Sequence, residues 1–388
     1  MKTSFQSLNR WNDLMNTLSG NFLPVTSEET KMPVILKLYV AMIWTIELTY
    51  LGACTVGIFY VPKEKALRDG TVNFVVTFDI FFFLPILYSN KDTLQGLIGT
   101  LNKIFAAEGS MLTTTVTQLL EPMMRVQKIY IIGSGTALLA WTTLPLAGLF
   151  YKKEFYCADY QVPMALSKEP FSVAIFVAGT ALQMVGGVVT FIRKASLDVY
   201  TIHWILLMTA QYKYMELKFI SILEKDTTSI AKDTITEEMR LLTRHHNTVV
   251  KMAVALKRIF SPNIAALYIN NVFRFCFLSI MVITSANSLL RSFIVLYTCG
   301  ALMQLYMICF CIQHLLEAST TMMDSVFHKN WYLHDISLQR SVMFMTLATK
   351  LKCQLSRFRN IDLTLPSFMS ILNQAYSVCL LFLRSRRD

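Results

Sequence analysis

The chain has 388 residues, 54% of them hydrophobic and only 16% charged, with a mean hydropathy of +0.46. Soluble domains carry about 25% charged residues, so a single water-soluble core is excluded and serial membrane spans gathered into one bundle are indicated. The net charge of +11 comes from basic residues spread thinly between apolar spans, which suits an anionic lipid surface and not a nucleic acid.

Residues 1–33 lack the basic-then-apolar pattern of a cleaved signal peptide. Phe5, Leu8, Trp11, Met15 and Leu18 recur at helical spacing, which predicts a short amphipathic helix lying on a membrane or packed on the bundle. A first span runs from about Leu38 to Val61 with one charge, Glu47. A second, Thr71 to Ser89, holds Asp79 among Phe74, Phe78, Phe81, Phe82 and Phe83. The third, Ile129 to Tyr151, and the fourth, Phe171 to Ile192, carry no charge within their apolar runs. Hydropathy identifies all four as spans.

Leu197 to Leu223 is apolar enough to tempt a further span, yet it holds Asp198, His203, Lys213, Glu216 and Lys218. We read it as the fourth helix continuing beyond the membrane, a choice that sets the parity of the topology. Glu224 to Arg244 is the most polar stretch, followed by a fifth span near Pro262 to Leu289 with Arg274, and a sixth from Ser292 to Leu316. After Trp331 come an amphipathic run (Leu338, Arg340, Val342, Met343, Met345, Leu347), a basic connector (Lys350, Lys352, Arg357, Arg359) and a seventh span, Leu363 to Leu383. Lys and Arg are more numerous on the side that holds the N-terminus, which places it inside.

The expected architecture is therefore all-α: a polytopic membrane protein of seven transmembrane helices with cytoplasmic helical extensions, N-terminus inside and C-terminus outside. Its parts are 1–33, a cytoplasmic N-terminal segment; 34–193, spans one to four; 194–261, a cytoplasmic helical loop; 262–318, spans five and six; 319–362, a cytoplasmic connector; and 363–388, the seventh span with a short extracellular tail. Glu47, Asp79 and Arg274 are costly in a membrane, so they are expected to face the bundle interior and pair across helices. Asp79 beside Phe78 is alternatively a recognition site for an amine.

Eight cysteines form neither a disulfide framework nor a zinc spacing, since most lie in apolar runs where cysteine behaves as a small hydrophobe. His245 and His246 point about 100° apart on a helix and have no suitably spaced carboxylate or cysteine, so no metal is expected. No nucleophile, base and orienting group recur as a catalytic set, which supports neither an enzyme nor a cofactor. A G-protein-coupled receptor is disfavoured as well: Tyr151-Lys152-Lys153 stands where an acidic-Arg-Tyr triplet belongs, and the last span lacks Asn-Pro-x-x-Tyr. A transporter is disfavoured because the two halves show no internal repeat.

The last span mixes Ser367, Ser370, Asn373, Gln374, Tyr376 and Ser377 with leucines. Lipid has no partners for such groups, so they face another helix or water.

Phe327-His328-Lys329-Asn330-Trp331-Tyr332, then Leu338 to Met345, then Leu365-Pro366-Ser367-Phe368 and Leu372-Asn373-Gln374-Ala375-Tyr376-Ser377-Val378 resemble the C-terminal signature of insect odorant receptors. Gustatory receptors share that architecture but end in Thr-Tyr with a downstream Gln-Phe; Ala375-Tyr376 and a Phe382 without preceding Gln favour the odorant branch. The resemblance implies an odorant-gated non-selective cation channel, a heterotetramer in which each subunit gives its seventh span to a central pore. It also implies a small volatile ligand bound in the outer half of each tuning subunit, and partnership with a co-receptor subunit in the cell membrane of an olfactory neuron. The short loop between spans four and five implies a tuning subunit. The alternative is a gustatory-type or non-conducting chemoreceptor that signals through a cytoplasmic partner.

Within that frame Tyr376, Cys379 and Leu383 stand at i, i+3 and i+7, an apolar ring able to close a pore by excluding water, with Asn373 below. A volatile's site should be mostly apolar with one or two orienting polar groups, and Phe74, Phe78, Trp141, Leu146, Ile175, Phe293 and Tyr297 stand at suitable depth. Ordinary bundle packing is the competing role for each of these residues.

Overall fold

The computed structural model describes residues 4–28, 32–224, 229–285, 288–329, 331–333, 335–349, 353, 355–356 and 362–385. Among them the chain is helical, and the only strand-like pairing is a single antiparallel bridge between Phe155 and Phe171.

The amphipathic start forms two short helices, α1 (Phe5–Leu8) and α2 (Arg10–Leu18). Ser4 and Ser7 bond each other's backbone reciprocally in a capping box, and Asn9 accepts from the Asn12 N–H at 3.0 Å. Phe5 is fully buried, its ring 4.5 Å from His203 and 4.8 Å from Trp204. The segment is thus packed on the bundle through Phe5 and Met15, with Leu14 and Leu18 left exposed.

Next come α3 (Val34–Ile58), the single turn α4 (Lys63–Lys65), α5 (Thr71–Ser89), α6 (Lys91–Thr143), α7 (Val173–Leu223), α8 (Ser229–Thr284), α9 (Ser288–Phe327), α10 (Ile336–Thr349) and α11 (Leu365–Ser385). Helix α6 is broken at Gly109, whose φ of 68° only glycine adopts freely. At about 1.5 Å per residue the 51 residues of α7 reach far beyond a hydrocarbon core of about 30 Å. Six of the described helices are long and apolar enough to cross a membrane, and Asn73–Ser89 is a shorter apolar helix beside them.

Leu197 to Leu223 is continuous with the fourth-span helix, and α7 is the axis of the molecule. From Arg193 to Ala210 every residue but Thr201 is buried, with α2, α5, α6, α8 and α9 packed around it. The stretch is buried on every side of the helix even though it carries Arg193, Lys194, Asp198 and His203.

The buried acids pair across helices, but with cations other than Arg274. Glu47 on α3 pairs with Arg193, both side chains 1% exposed. The Arg193 guanidinium also lies 4.0 Å from the Trp44 ring and donates from Nε to Asn21 Oδ1 at 3.2 Å. Asp79 is held by Lys194 at 3.3 Å and by the Asn270 amide at 2.7 Å, and Lys194 also reaches Asp198 at 2.6 Å. Arg274 instead donates to Gln304 Oε1 at 2.7 Å, and Gln304 in turn donates to Asp198. Arg193 and Lys194 lie just past the fourth apolar run, where a charge pattern signals the end of a span. They are buried because Glu47 and Asp79 reach them from neighbouring helices, a tertiary pairing that local sequence does not display.

A second, smaller core sits under the 151–172 connection, built from Tyr50, Cys54, Phe155, Tyr160, Met164 and Phe176. Phe155 stacks on Phe176 at 4.0 Å, and the Ala165 N–H donates to the Ala53 carbonyl at 3.0 Å. Cys157 is buried here with its N–H donating to Glu169 Oε1 at 2.5 Å, and burial pushes its thiol up to about 12.

Trp331 packs edge-on against Phe327 with centroids 5.5 Å apart. In α10 the Leu338, Val342 and Met345 face is buried and the Met343, Phe344 and Leu347 face is open. The connector residues Lys350, Lys352, Arg357 and Arg359 lie outside the described residues.

Candidate functional site

A cavity of about 70 Å³ lies between α3, α5, α6, the Val173 half of α7 and the start of α9, with Val162 of the 151–172 connection on its wall. That is several times the ~10–15 Å³ one water needs. Its walls are mainly apolar, including Val76, Leu138, Phe191 and Ile294, with Tyr50, Asp69, Asn73 and Thr190 as polar members.

Of the seven pocket candidates, Trp141, Phe293 and Tyr297 line this cavity together. The other four do not. Phe78 is 49% exposed and stacks on Phe82 with centroids 5.6 Å apart. Ile175 packs against the smaller core, and Phe74 and Leu146 are half-buried away from the cavity wall. Asp79, weighed as an amine site, is buried against Lys194 and Asn270 and is not a lining residue.

Asn73, Thr190 and Val162 line the cavity but are not pocket candidates by sequence. Asn73 and Thr190 had a readable signal, a polar side chain inside an apolar span. Val162 had none, because its place depends on how the connection folds back over α3.

Three buried side-chain atoms of lining residues have no hydrogen-bond partner among the described residues: Asn73 Nδ2, Trp141 Nε1 and Thr190 Oγ1. Tyr297, Thr142 and Asp69 are engaged. Tyr297 accepts from Arg274 Nη2 at 3.3 Å, Thr142 donates to the Leu138 carbonyl at 3.0 Å, and Asp69 pairs with Lys65 at 3.7 Å.

The second candidate element is α11. The apolar window of this helix is only 17% buried, so most of its surface has no cover from the rest of the subunit. The polar stripe divides. Gln374 donates to the Tyr268 hydroxyl at 3.0 Å, and Tyr268 meets Ser370 at 3.1 Å, so these two bond to α8. Asn373, Tyr376, Ser377 and Leu380 stand at i, i+3, i+4 and i+7 and are all exposed, Tyr376 by 65%. Cys379 is 2% exposed and faces the subunit interior, which separates it from Asn373 and Tyr376. The Leu383 side chain lies outside the described residues.

A family model described as 7tm Odorant receptor matches residues 71–376 of the chain. The chain belongs to the insect odorant receptor family. Among curated relatives, Odorant receptor 22c of Drosophila melanogaster is 24% identical over 261 residues, and Odorant receptor 13a of the same organism is 21% identical over 180 residues. The first match covers 64% of each chain and the second 43%, so this odorant receptor spans less than two thirds of the relatives it matches. Its fold is that of the insect olfactory receptor OR5 from Machilis hrabei, solved alone and in complex with eugenol. The TM-score is 0.78 at 14% identity, covering 98% of this chain and 99% of that one. With six helices of spanning length, this family member is a multi-pass membrane protein.

Proposed function

We propose that this odorant receptor is the tuning subunit of an odorant-gated, non-selective cation channel in the cell membrane. In this reading seven helices span the bilayer: α3, α5, α6, α7, α8, α9 and α11. The N-terminus is inside and the C-terminus outside. A small volatile occupies the cavity between Trp141, Phe293 and Tyr297, and α11 contributes to a pore completed by co-receptor subunits in a heterotetramer.

One observation carries the channel part of this reading: the Asn373, Tyr376, Ser377 and Leu380 face of α11 is exposed in the single subunit. An amide and hydroxyls cannot be left against hydrocarbon without cost. That face therefore meets another subunit or a water-filled path, and a helix carrying a Tyr-Leu stripe one turn above an Asn serves as a pore wall with an apolar constriction. Cys379, buried against its own subunit, takes no part in the constriction.

The test is expression in oocytes with and without a family co-receptor, recording currents under a panel of volatiles. The proposal expects odorant-dependent cation current only with both chains present. Surface-expressed protein that gives no current with any volatile, but a response through a cytoplasmic messenger, favours the non-conducting chemoreceptor.

A further inference from the structure

We infer that Gly187 sets the upper size limit of the cavity's occupant, so that this receptor answers compact volatiles and loses the longer members of a homologous series. This rests on the reading that the cavity is the odorant site and adds the rule by which its occupants are sorted.

Helix α7 brings Gly187, Thr190 and Phe191 to the cavity wall. They stand at i, i+3 and i+4, which is one helical face. A Cβ built at Gly187 has no heavy atom within 4 Å. The open space on that face is therefore part of the cavity, and it exists because residue 187 has no side chain. Among the described lining residues Gly187 is the one glycine.

Its neighbour Gly186 acts in the opposite sense. A Cβ there would lie 2.5 Å from Tyr50 Cγ and 2.7 Å from Tyr50 Cβ, and Tyr50 Cβ is fixed to its own backbone. Tyr50 is also a lining residue, 3% exposed. Gly186 thus lets α3 close on α7 through Tyr50, while Gly187 leaves the adjoining wall bare.

Volume is what this site has least of. At about 70 Å³ the cavity is under half of the ~150 Å³ of an engineered apolar cavity that takes up benzene. Close-packed walls feel a change of one methylene, and one methylene more or less in an apolar pocket changes discrimination about 10- to 200-fold. A methyl group added at residue 187 has room to stand without moving the wall, so its cost falls on the occupant and not on the fold.

The test uses the full chain co-expressed with a co-receptor and a graded series of probes: ethanol, n-butanol, n-hexanol and n-octanol. Wild-type potency should peak below n-octanol. Gly187→Ala should raise the half-maximal concentration of the best wild-type probe about tenfold or more and move the optimum to a shorter alkanol. The retained response to the shorter alkanol is the control for folding, and alanine is the better helix former. Gly133→Ala makes the same change on α6, where a Cβ also meets nothing within 4 Å but the residue is not on the cavity wall. Its order of potencies should match the wild type. Gly187→Leu fills the space beside α7 and should silence every probe.

A Gly187→Ala receptor that keeps the wild-type order, or weakens every probe equally, overturns the size rule. So does wild-type potency that climbs through n-octanol, silence to the whole series in a receptor that another volatile opens, or a Gly133→Ala variant that shifts as Gly187→Ala does. Responses to all probes that survive Gly187→Leu place the odorant outside this cavity and overturn the proposed site itself.

Discussion

The Arg274 guanidinium donates from Nη2 to the Tyr297 hydroxyl at 3.3 Å and lies 5.7 Å from the centre of that ring. Tyr297 is a wall of the cavity, and Arg274 is bonded onward to Gln304, which reaches Asp198, Lys194 and Asp79. One tyrosine therefore joins the cavity to a buried polar network crossing α5, α7, α8 and α9. Tyr297→Phe keeps the ring and the cavity shape but removes a hydrogen bond to a charged group, worth about 1.5–3 kcal/mol. Maximal odorant current per receptor at the surface should fall about tenfold, with a smaller shift in half-maximal concentration. Surface biotinylation alongside dose-response recording separates the two.

Glu47 and Arg193 form a pair closed off from solvent. Removing one partner leaves a buried charge and costs about 3–5 kcal/mol, while replacing both with neutral side chains is often nearly neutral. Glu47→Gln and Arg193→Met should each reduce folded, surface-expressed receptor severely, and the double variant should recover most of it. Fluorescence-detected size-exclusion profiles of the four proteins read this directly.

His203 is 1% exposed against Phe5 and Asn9, and desolvation lowers it from 6.5 to about 3. The unfolded chain takes up this proton near pH 6.5 and the folded one does not. Its contribution to stability is therefore complete above that pH and lost as pH falls from about 6.5 toward 3. Between pH 7.5 and 5.5 the loss is about 1.4 kcal/mol. Thermal unfolding of purified receptor should show this dependence, and His203→Gln should flatten it.

Gly57 and Gly179 hold the 151–172 connection close to the helices. A Cβ at Gly57 overlaps the Met164 backbone, whereas one at Gly179 overlaps the end of the Tyr160 side chain. Backbone cannot rotate away, so Gly57→Ala should destabilise more than Gly179→Ala, at about 1–3 kcal/mol or above. Because Val162 lies two residues before Met164 and lines the cavity, Gly57→Ala should also weaken the odorant response. Thermal melts give the ranking and dose-response curves the second effect.

Hydropathy made the apolar helices legible, because a span must satisfy its own backbone and shed its charges. Counting residues along the apolar runs also named Trp141, Phe293 and Tyr297 together, and the three line one cavity. What the sequence hid is tertiary. Arg193 and Lys194 look like the end of a span until Glu47 and Asp79 are brought to them. Asn73 and Val162 become neighbours of Trp141 only when α5 and the 151–172 connection pack against α6. Cys379 shares a helical spacing with Tyr376, but which side of α11 meets α8 depends on side chains of the partner helix, and Cys379 lies on the buried side.

The central claim, that the open face of α11 lines a conduction path, is tested most directly by thiol accessibility. In a Cys299→Ser background, which removes the cysteine that is exposed, Tyr376→Cys and Asn373→Cys are co-expressed with a co-receptor and treated with a charged, membrane-impermeant methanethiosulfonate during odorant application. The account predicts rapid, irreversible block of the odorant current in both variants and none in the background that retains buried Cys379. Current that is unaffected in both variants, with the introduced thiols shown to be present at the surface, would contradict it.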